Sequence, residues 1–204
     1  MAVWRGRTDK ALVALTFDAG SDCGNAANII TMLEANGVPA TFGLTGKWVE
    51  LCGTAAAQIG QAGYPVLNHS YSHPSFTGYS TQKSPLTRAQ ILDELAKGEA
   101  AIKKATGRAA KPWFRPPYGD QNAFVLQVVG EAGYRWSVMW TIDSRGWQGV
   151  PPEQVISNVV DKAVNGAIVV MHVGSASTDY AALQAVIDGL RARGFGFATV
   201  SGIV

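Results

Sequence analysis

Several residue types and patterns are scarce in this chain of 204 residues, and each scarcity excludes a class of protein. Charged residues make up only 16% of the chain and the formal net charge is +2, so we expect neither intrinsic disorder nor nucleic-acid binding. No apolar run approaches the roughly 20 residues that cross a bilayer, so we expect no membrane span. Histidine occurs three times and cysteine twice, which leaves few candidates for metal binding or disulfide formation.

The two cysteines, Cys23 and Cys52, fall in no CxxC or Cys/His spacing that would suggest a zinc site. They can pair in an oxidising compartment or remain as free thiols, and the sequence leaves both alternatives open. The start of the chain, MAVWRGRTDK, lacks the apolar core of a signal peptide. An exported origin remains open, because a chain trimmed of its leader would look the same.

Short β-rich apolar runs alternate with longer segments of helical periodicity, which predicts βα units and a parallel sheet. The length suits a single domain, with a core expected from about residue 10 to residue 200. The predicted strands are 11–17, 40–45, 64–69, 112–118, 134–143, 167–173 and 195–200. The predicted helices are 25–37, 86–107, 122–133, 151–164 and 179–194. Thr87 and Gln90 predict a capping box at the start of the second helix.

Seven βα units can close into a barrel or lie open as a doubly wound sheet, and the alternation alone does not decide. Polar residues follow or end most of the predicted strands. These residues are Asp18, His69, His73, Arg115, Tyr118, Asp143 and His172. In an α/β barrel the carboxyl ends of the strands converge on one face, whereas the outer strands of an open sheet lie far apart. Convergence therefore favours the barrel.

The chemistry of these side chains suggests a metal site and an acid–base pair. His69 and His73 stand four residues apart in NHSYSH, and neutral imidazole is a common zinc ligand, although an isolated HxxxH is more often two solvated loop histidines. Asp18, at the end of the first strand, can bind metal, remove a proton or cap the next helix. Arg115 needs an anion, and Asp18 is its natural partner; a purely structural ion pair is the alternative.

The blocks TFDAG, HSYSH, RPPYG and VVMHV together resemble the motifs of the polysaccharide deacetylase family, also called the NodB homology domain or carbohydrate esterase family 4. The resemblance implies an α/β fold with a distorted (β/α)7 barrel and a divalent metal, Zn²⁺ ahead of Co²⁺ or Ni²⁺. It implies hydrolysis of acetyl groups on an N-acetylated polysaccharide or oligosaccharide, of the peptidoglycan or chitin type, with acetylxylan as a close alternative. A secreted or cell-wall-associated monomer is expected.

The resemblance also implies a role for each matching residue. Asp18 corresponds to the general base, Arg115 to the residue that orients it, and His172 to the general acid. His69 and His73 correspond to metal ligands. The positions that match the substrate pocket are Tyr118, whose backbone N–H would help to form an oxyanion hole, Pro117, Trp147 and Val170.

Two positions depart from the family pattern. Family members commonly read TFDDG, where the second Asp completes the metal triad, but this chain has Ala19. We expect Asp22 to replace the missing ligand; a water ligand, with Asp22 capping the next helix, is the alternative. The family often reads DxxDW, where the second Asp holds the catalytic histidine, but this chain has Gly146. We expect Asp143 to reach the ring of His172 instead and to fix its tautomer.

The losses at positions 19 and 146 leave a second hypothesis from another functional class. A glycan-binding pseudoenzyme would keep the groove and lose the activity. The retained Asp18 and His172 argue against it, since a protein that only binds glycan needs neither.

Overall fold

A computed structural model describes all 204 residues and contains one nine-stranded sheet in which every strand pairing is parallel. The strands are β1 Ala2–Val3, β2 Leu12–Ala19, β3 Ala40–Leu44, β4 Val66–Asn68, β5 Trp113–Phe114, β6 Trp136–Val138, β7 Ile142–Asp143, β8 Ala167–His172 and β9 Gly196–Phe197. The helices are α1 Ala26–Ala35, α2 Gly46–Leu51, α3 Gly53–Gln61, α4 Arg88–Thr106, α5 Ala123–Glu131, α6 Pro152–Val160, α7 Asp179–Ala192 and α8 Val200–Ile203. None of these helices is long and apolar enough to cross a bilayer.

The strands curl into an incompletely closed barrel. Their order in the sheet is β1-β6-β5-β4-β3-β2-β8-β7, and β9 pairs with β2 beside β8. β1 and β7 stand at the two ends of this order and do not pair, so a seam remains. The α/β fold class and the distorted (β/α)7 barrel predicted from the sequence are thereby confirmed.

All seven predicted strands overlap observed strands. The predicted and observed elements differ in three respects. The segment 134–143 divides into β6 and β7, which lie in different parts of the sheet. β1 precedes the core expected from residue 10 and pairs with β6. The helices α2, α3 and α8 are not among the predicted helices. α2 and α3 are short and separated by a break at Cys52, α3 is rich in glycine and alanine, and α8 has only four residues. The capping box of Thr87 and Gln90 is present at the start of α4.

Alternation along β2 separates the helical layer from the barrel interior. Every second side chain, from Val13 to Ala19, packs into the largest apolar cluster, where β2, β3 and β8 meet α1, α3, α6 and α7. The intervening side chains Thr16 and Asp18 point toward the barrel interior, where Arg115 contacts both. Asp18 and Ala19 therefore face opposite sides of the sheet although they are adjacent in sequence.

The cysteines form a disulfide bond, which decides between the two alternatives that the sequence left open. Cys23 lies in the turn after β2 and Cys52 at the junction of α2 and α3. The indole of Trp48 in α2 also donates a hydrogen bond to the backbone oxygen of Asp22, at 2.9 Å. The segments that follow β2 and β3 are thus joined close to the rim of the barrel.

Candidate active site

Strand register brings the first two functional side chains together. Asp18 at the end of β2 is the direct neighbour of His172 at the end of β8, and of Gly43 in β3 on its other side. A Cβ on Gly43 would overlap Oδ1 of Asp18, so the glycine leaves the space that the carboxylate occupies. His69 and Arg115 follow β4 and β5, which pair with each other next to β3. The carboxyl ends of four strands therefore meet at one rim.

Asp18 and Arg115 form a buried ion pair. Nη1 of Arg115 donates to Oδ1 of Asp18 at 2.8 Å and to Oγ1 of Thr16 at 2.9 Å. Nε donates to the backbone oxygen of Val138 at 3.0 Å, and the arginine side chain has no exposed surface. Burial alone would raise the pKa of Asp18, but the guanidinium and the imidazole of His69 outweigh it and hold the pKa below the ordinary 3.8. The carboxylate is therefore ionised and fixed in orientation.

His69 and His73 direct their Nε2 atoms at each other, 3.1 Å apart. Nδ1 of His69 lies 2.8 Å from the backbone oxygen of Arg115, and because a carbonyl only accepts, this nitrogen carries the proton and Nε2 is free. Burial lowers the pKa of His69, and burial together with the neighbouring His69 lowers the pKa of His73 to about 3. Both rings are neutral at neutral pH, which is the form that binds a metal.

The loop that carries His73 is held in a constrained conformation. Ser70 and His73 have φ of 68° and 61°, in the left-handed region that side chains other than glycine rarely adopt. The carboxylate of Glu94 in α4 accepts hydrogen bonds from the backbone N–H groups of Tyr71 and Ser72, at 3.0 and 2.8 Å. Glu94 was not identified from the sequence, because an acidic residue inside a helix gives no sign of a distant partner.

These donors fit a divalent ion only in part. The two converging imidazole nitrogens supply two ligands, whereas a catalytic zinc usually has three from the protein. Position 19 does not provide the third, because alanine has no donor atom, and Ala19 is buried in the apolar cluster. No group of three or more His, Cys, Asp or Glu side chains is arranged to hold a metal.

Asp22, the expected replacement ligand, does not join the histidine pair. Its Oδ1 accepts a hydrogen bond from the backbone N–H of Ser175 at 2.9 Å, and its Oδ2 accepts one from the hydroxyl of the same serine at 3.1 Å. Asp18 and Asp179 are the only residues with a carboxylate within 4.0 Å of a histidine ring nitrogen. Asp22 also does not cap α1, since both of its side-chain oxygens bond to Ser175; the N-cap residue Asn25 makes no side-chain cap either. Its role as a ligand stays a prediction.

Asp143, the expected partner of His172, is likewise engaged elsewhere. Its carboxylate accepts hydrogen bonds from the backbone N–H of Arg145 at 2.8 Å and from the indole of Trp147 at 3.3 Å. The carboxylate that faces the His172 ring belongs to Asp179, with Oδ2 3.9 Å from Nδ1. Asp179 was not identified from the sequence, where it appears only as the first residue of a predicted helix.

The histidines, Asp18 and Asp143 line a cleft of about 650 Å³. Of the residues expected to contact substrate, Tyr118, Trp147 and Val170 line this cleft, whereas Pro117 does not and its neighbour Pro116 does. Tyr118 has φ of 61°, and its backbone N–H donates to no acceptor in the protein. Trp147 is half exposed, with its ring 6.4 Å from the ring of His172. The flat indole of Trp147 therefore lies beside the ring of His172 in the cleft.

Comparison with known proteins identifies the family. The polysaccharide deacetylase family matches residues 5–137, more than half of the chain, which therefore belongs to this family. The chain is 30% identical over 203 residues to a peptidoglycan-N-acetylglucosamine deacetylase of Bacillus cereus, covering 97% of this chain and 90% of that protein. It is 33% identical over 190 residues to a bifunctional xylanase/xylan deacetylase of Cellvibrio japonicus, covering 93% of this chain and 27% of that one.

A solved structure with a closely similar fold is a family 4 pseudoenzyme from Bacillus anthracis. It superposes with a TM-score of 0.89 at 30% identity, covering 100% of this chain and 68% of that protein. A mutant of that pseudoenzyme has restored enzymatic activity. The chain spans only part of some relatives, for example 59% of an uncharacterized protein of Bacillus subtilis and 27% of the xylan-active protein. Both active and inactive proteins are thus similar to this chain.

Proposed function

We propose that this protein removes acetyl groups from N-acetylated glycans, of the peptidoglycan or chitin type, with Asp18 as general base and His172 as general acid. The observation that carries the proposal is the convergence of Asp18, His172 and the paired Nε2 atoms of His69 and His73 at one cleft. The relative that acts on peptidoglycan N-acetylglucosamine supports an amide substrate.

The reaction needs a base on one side of the acetyl carbon and an acid on the other. Oδ2 of Asp18 is free of Arg115, lies 3.6 Å from Nε2 of His69, and accepts a proton from the attacking water. A divalent ion held by His69 and His73 would acidify that water and polarise the acetyl carbonyl, which compensates for the weak basicity of a carboxylate with a lowered pKa.

The tetrahedral oxyanion then needs a donor and the leaving group needs a proton. The backbone N–H of Tyr118, unused within the protein, donates to the oxyanion. His172, whose side chain is about one-third exposed at the cleft, gives its proton to the sugar nitrogen as the carbon–nitrogen bond breaks. The products are acetate and a free amine on the sugar.

Acetate release tests this proposal. Peptidoglycan fragments, N-acetylglucosamine oligomers and acetylxylan are each incubated with the protein in the presence of Zn²⁺, Co²⁺ or Ni²⁺, and with a chelator. We expect metal-dependent release from the N-acetylated glycans and loss of release in Asp18→Asn. The exposed Asp161→Asn variant, a carboxylate-to-amide change outside the cleft, serves as the matched control.

Two observations favour alternatives that the same assay separates. The identity with a xylan deacetylase favours ester hydrolysis, which predicts faster release from acetylxylan than from any N-acetylated glycan. The absent ligand at Ala19, with the similarity to a pseudoenzyme, favours a glycan-binding protein without activity. Binding of glycan without acetate release under any metal would support that reading.

Export from the cytoplasm accompanies the proposed function. A disulfide between Cys23 and Cys52 persists in an oxidising compartment, and the proposed polymeric substrates lie outside the cell membrane. Fractionation of the native host, with thiol labelling of each fraction, tests it. We expect the protein to be outside the cytoplasm with no reactive thiol.

A further inference from the structure

We propose that Asp179 is the positioning residue of His172, holding its imidazole through Nδ1. The inference deepens the proposed function, since it rests on His172 as the general acid. Asp179 is the first residue of α7 and has no exposed surface. A carboxylate is rarely buried unless polar or charged partners compensate for its lost hydration.

The first observation concerns unsatisfied atoms. Only two buried side-chain nitrogen or oxygen atoms in the protein lack a hydrogen-bond partner, and these are Nδ1 of His172 and Oδ1 of Asp179. The two groups face each other, with Nδ1 at 3.9 Å from Oδ2 of the same carboxylate. An imidazole N–H and a carboxylate oxygen are complementary, so each is the natural partner of the other. The 3.9 Å separation is about 1 Å longer than a hydrogen bond, so the proposed contact requires the ring or the carboxylate to move by that amount.

The second observation is that the carboxylate is already anchored to His172. Oδ2 of Asp179 accepts hydrogen bonds from the backbone N–H of His172 and from the hydroxyl of Ser177, both at 2.8 Å. The same group thus holds the main chain of His172 and faces its ring. Asp143 makes neither contact.

The third observation explains the glycine at position 146. A Cβ on Gly146 would overlap both Oδ1 and Cγ of Asp179, so the carboxylate occupies the space where a side chain at 146 would begin. The backbone oxygen of Gly146 accepts the N–H of Thr178 at 3.2 Å, which packs the loop against the start of α7. The helix, rather than the loop, therefore supplies a carboxylate at this point.

The electrostatic surroundings agree with this assignment. The ionisable groups that interact with His172 are Asp18, His69, His73 and Asp179. Asp18 is paired with Arg115, and the other two imidazoles are neutral, so Asp179 is the carboxylate available to the ring. Burial raises the pKa of Asp179, whereas its hydrogen bonds and the adjacent imidazole oppose the shift. With Nδ1–H directed at Asp179, Nε2 is the nitrogen that donates to the leaving group.

Nuclear magnetic resonance of the imidazole nitrogens tests the inference without substrate or metal. With three histidines, the ¹⁵N signals of His172 are assigned by their loss in His172→Gln. We expect neutral His172 to be the Nδ1–H tautomer in the wild type. In Asp179→Asn an amide oxygen in the place of Oδ2 keeps the two anchoring hydrogen bonds but is a neutral and weaker acceptor for Nδ1–H, which should raise the population of the Nε2–H tautomer. Asp188→Asn, an exposed change on the same helix, should leave the tautomer unaltered.

A second variant disturbs the contact without changing charge. Gly146→Ala places a methyl group against the Asp179 carboxylate and should mix the two tautomers. The inference is overturned if neutral His172 is the Nε2–H tautomer in the wild type. It is also overturned if folded Asp179→Asn has the same tautomer populations as the wild type. A tautomer that responds to Asp143→Asn but not to Asp179→Asn returns the role to Asp143.

Kinetics separate this inference from the proposed function. Where the wild type releases acetate, we expect kcat of Asp179→Asn to fall by about 10²-fold or more with little change in KM, because general acid catalysis contributes that much. Absence of acetate release in the wild type contradicts the proposed function, whereas the tautomer measurement still tests Asp179.

Discussion

Replacement of Asp18 by Asn should destabilise the fold even though the two side chains have nearly the same shape. Arg115 has no exposed surface and its pairing with Asp18 is 2.8 Å long, so the substitution leaves a buried guanidinium without an anion. Removing one partner of a buried pair costs roughly 3–5 kcal/mol. Thr16 and the backbone oxygens of Val138 and Met139 still accept from Arg115, so we expect the lower end, about 3 kcal/mol.

Thermal and urea unfolding at pH 7 with a chelator measure this cost. For a chain of this size about 1 kcal/mol corresponds to 2–4 °C, so Tm should fall by roughly 6–12 °C. Because the folded pKa of Asp18 lies below 3.8, the contribution of the pair is fully present above that value and is lost as pH falls through the folded pKa. The gap between wild type and variant should therefore narrow in acid.

Two controls test whether the loss of stability comes from the unpaired charge of Arg115. Asp161→Asn changes an exposed carboxylate and should leave Tm within about 2 °C of the wild type. Asp18→Asn combined with Arg115→Met should lose less stability than the sum of the single variants, since the unpaired charge is gone. Additive effects, or an Asp18→Asn variant as stable as Asp161→Asn, would refute the reasoning.

Three further predictions concern the metal, the disulfide and the cleft. Ala19→Asp should raise Zn²⁺ affinity by about tenfold or more, near 1.4 kcal/mol, because Ala19 is the last residue of β2 and a carboxylate there can turn out of the apolar cluster toward His69 and His73. Calorimetry against Ala19→Asn measures this gain, and equal affinities would show that the side chain stays on the apolar face of β2. The double variant Cys23→Ser/Cys52→Ser should lower the free energy of unfolding by roughly 3.5 kcal/mol, because the disulfide joins residues 29 apart in sequence. A reductant should lower the stability of the wild type to that of the variant and should leave the variant unchanged. Trp147→Ala should raise KM for glycan with little loss of Tm, since Trp147 is 52% exposed and its ring lies beside His172. An unchanged KM would argue against stacking of the indole on a sugar ring.

The fold was largely predictable because its signals are local. Period-2 and period-3.6 patterns report which side of an element is buried, and the strands and most helices follow from them. The split of 134–143 into β6 and β7 was not predictable, since both halves are apolar and only the pairing partners differ. The helices α2 and α3 lack a long periodic run.

The site residues likewise divide into those that the order of strands predicts and those that it does not. Asp18, His69, His73, Arg115 and His172 stand at strand ends, and βα order alone brings them to one rim. The groups that support them come from helices and depend on side-chain direction. Glu94 lies inside α4 and Asp179 at the start of α7, so their sequence positions indicate solvent exposure and helix capping. Asp22 and Asp143 lie close in sequence to Ala19 and Gly146, but nearness in sequence does not fix the direction of a side chain, and both carboxylates bond elsewhere.

The measurement that tests the central claim most directly is acetate release from N-acetylglucosamine oligomers and peptidoglycan fragments by the purified wild type and by Asp18→Asn and His172→Gln, each with Zn²⁺ and with a chelator. We predict metal-dependent release by the wild type and a loss of at least about 10²-fold in both variants, with glycan binding retained. Release that is equal in all three proteins, or absent from the wild type under every metal, would contradict an acid–base site built on Asp18 and His172.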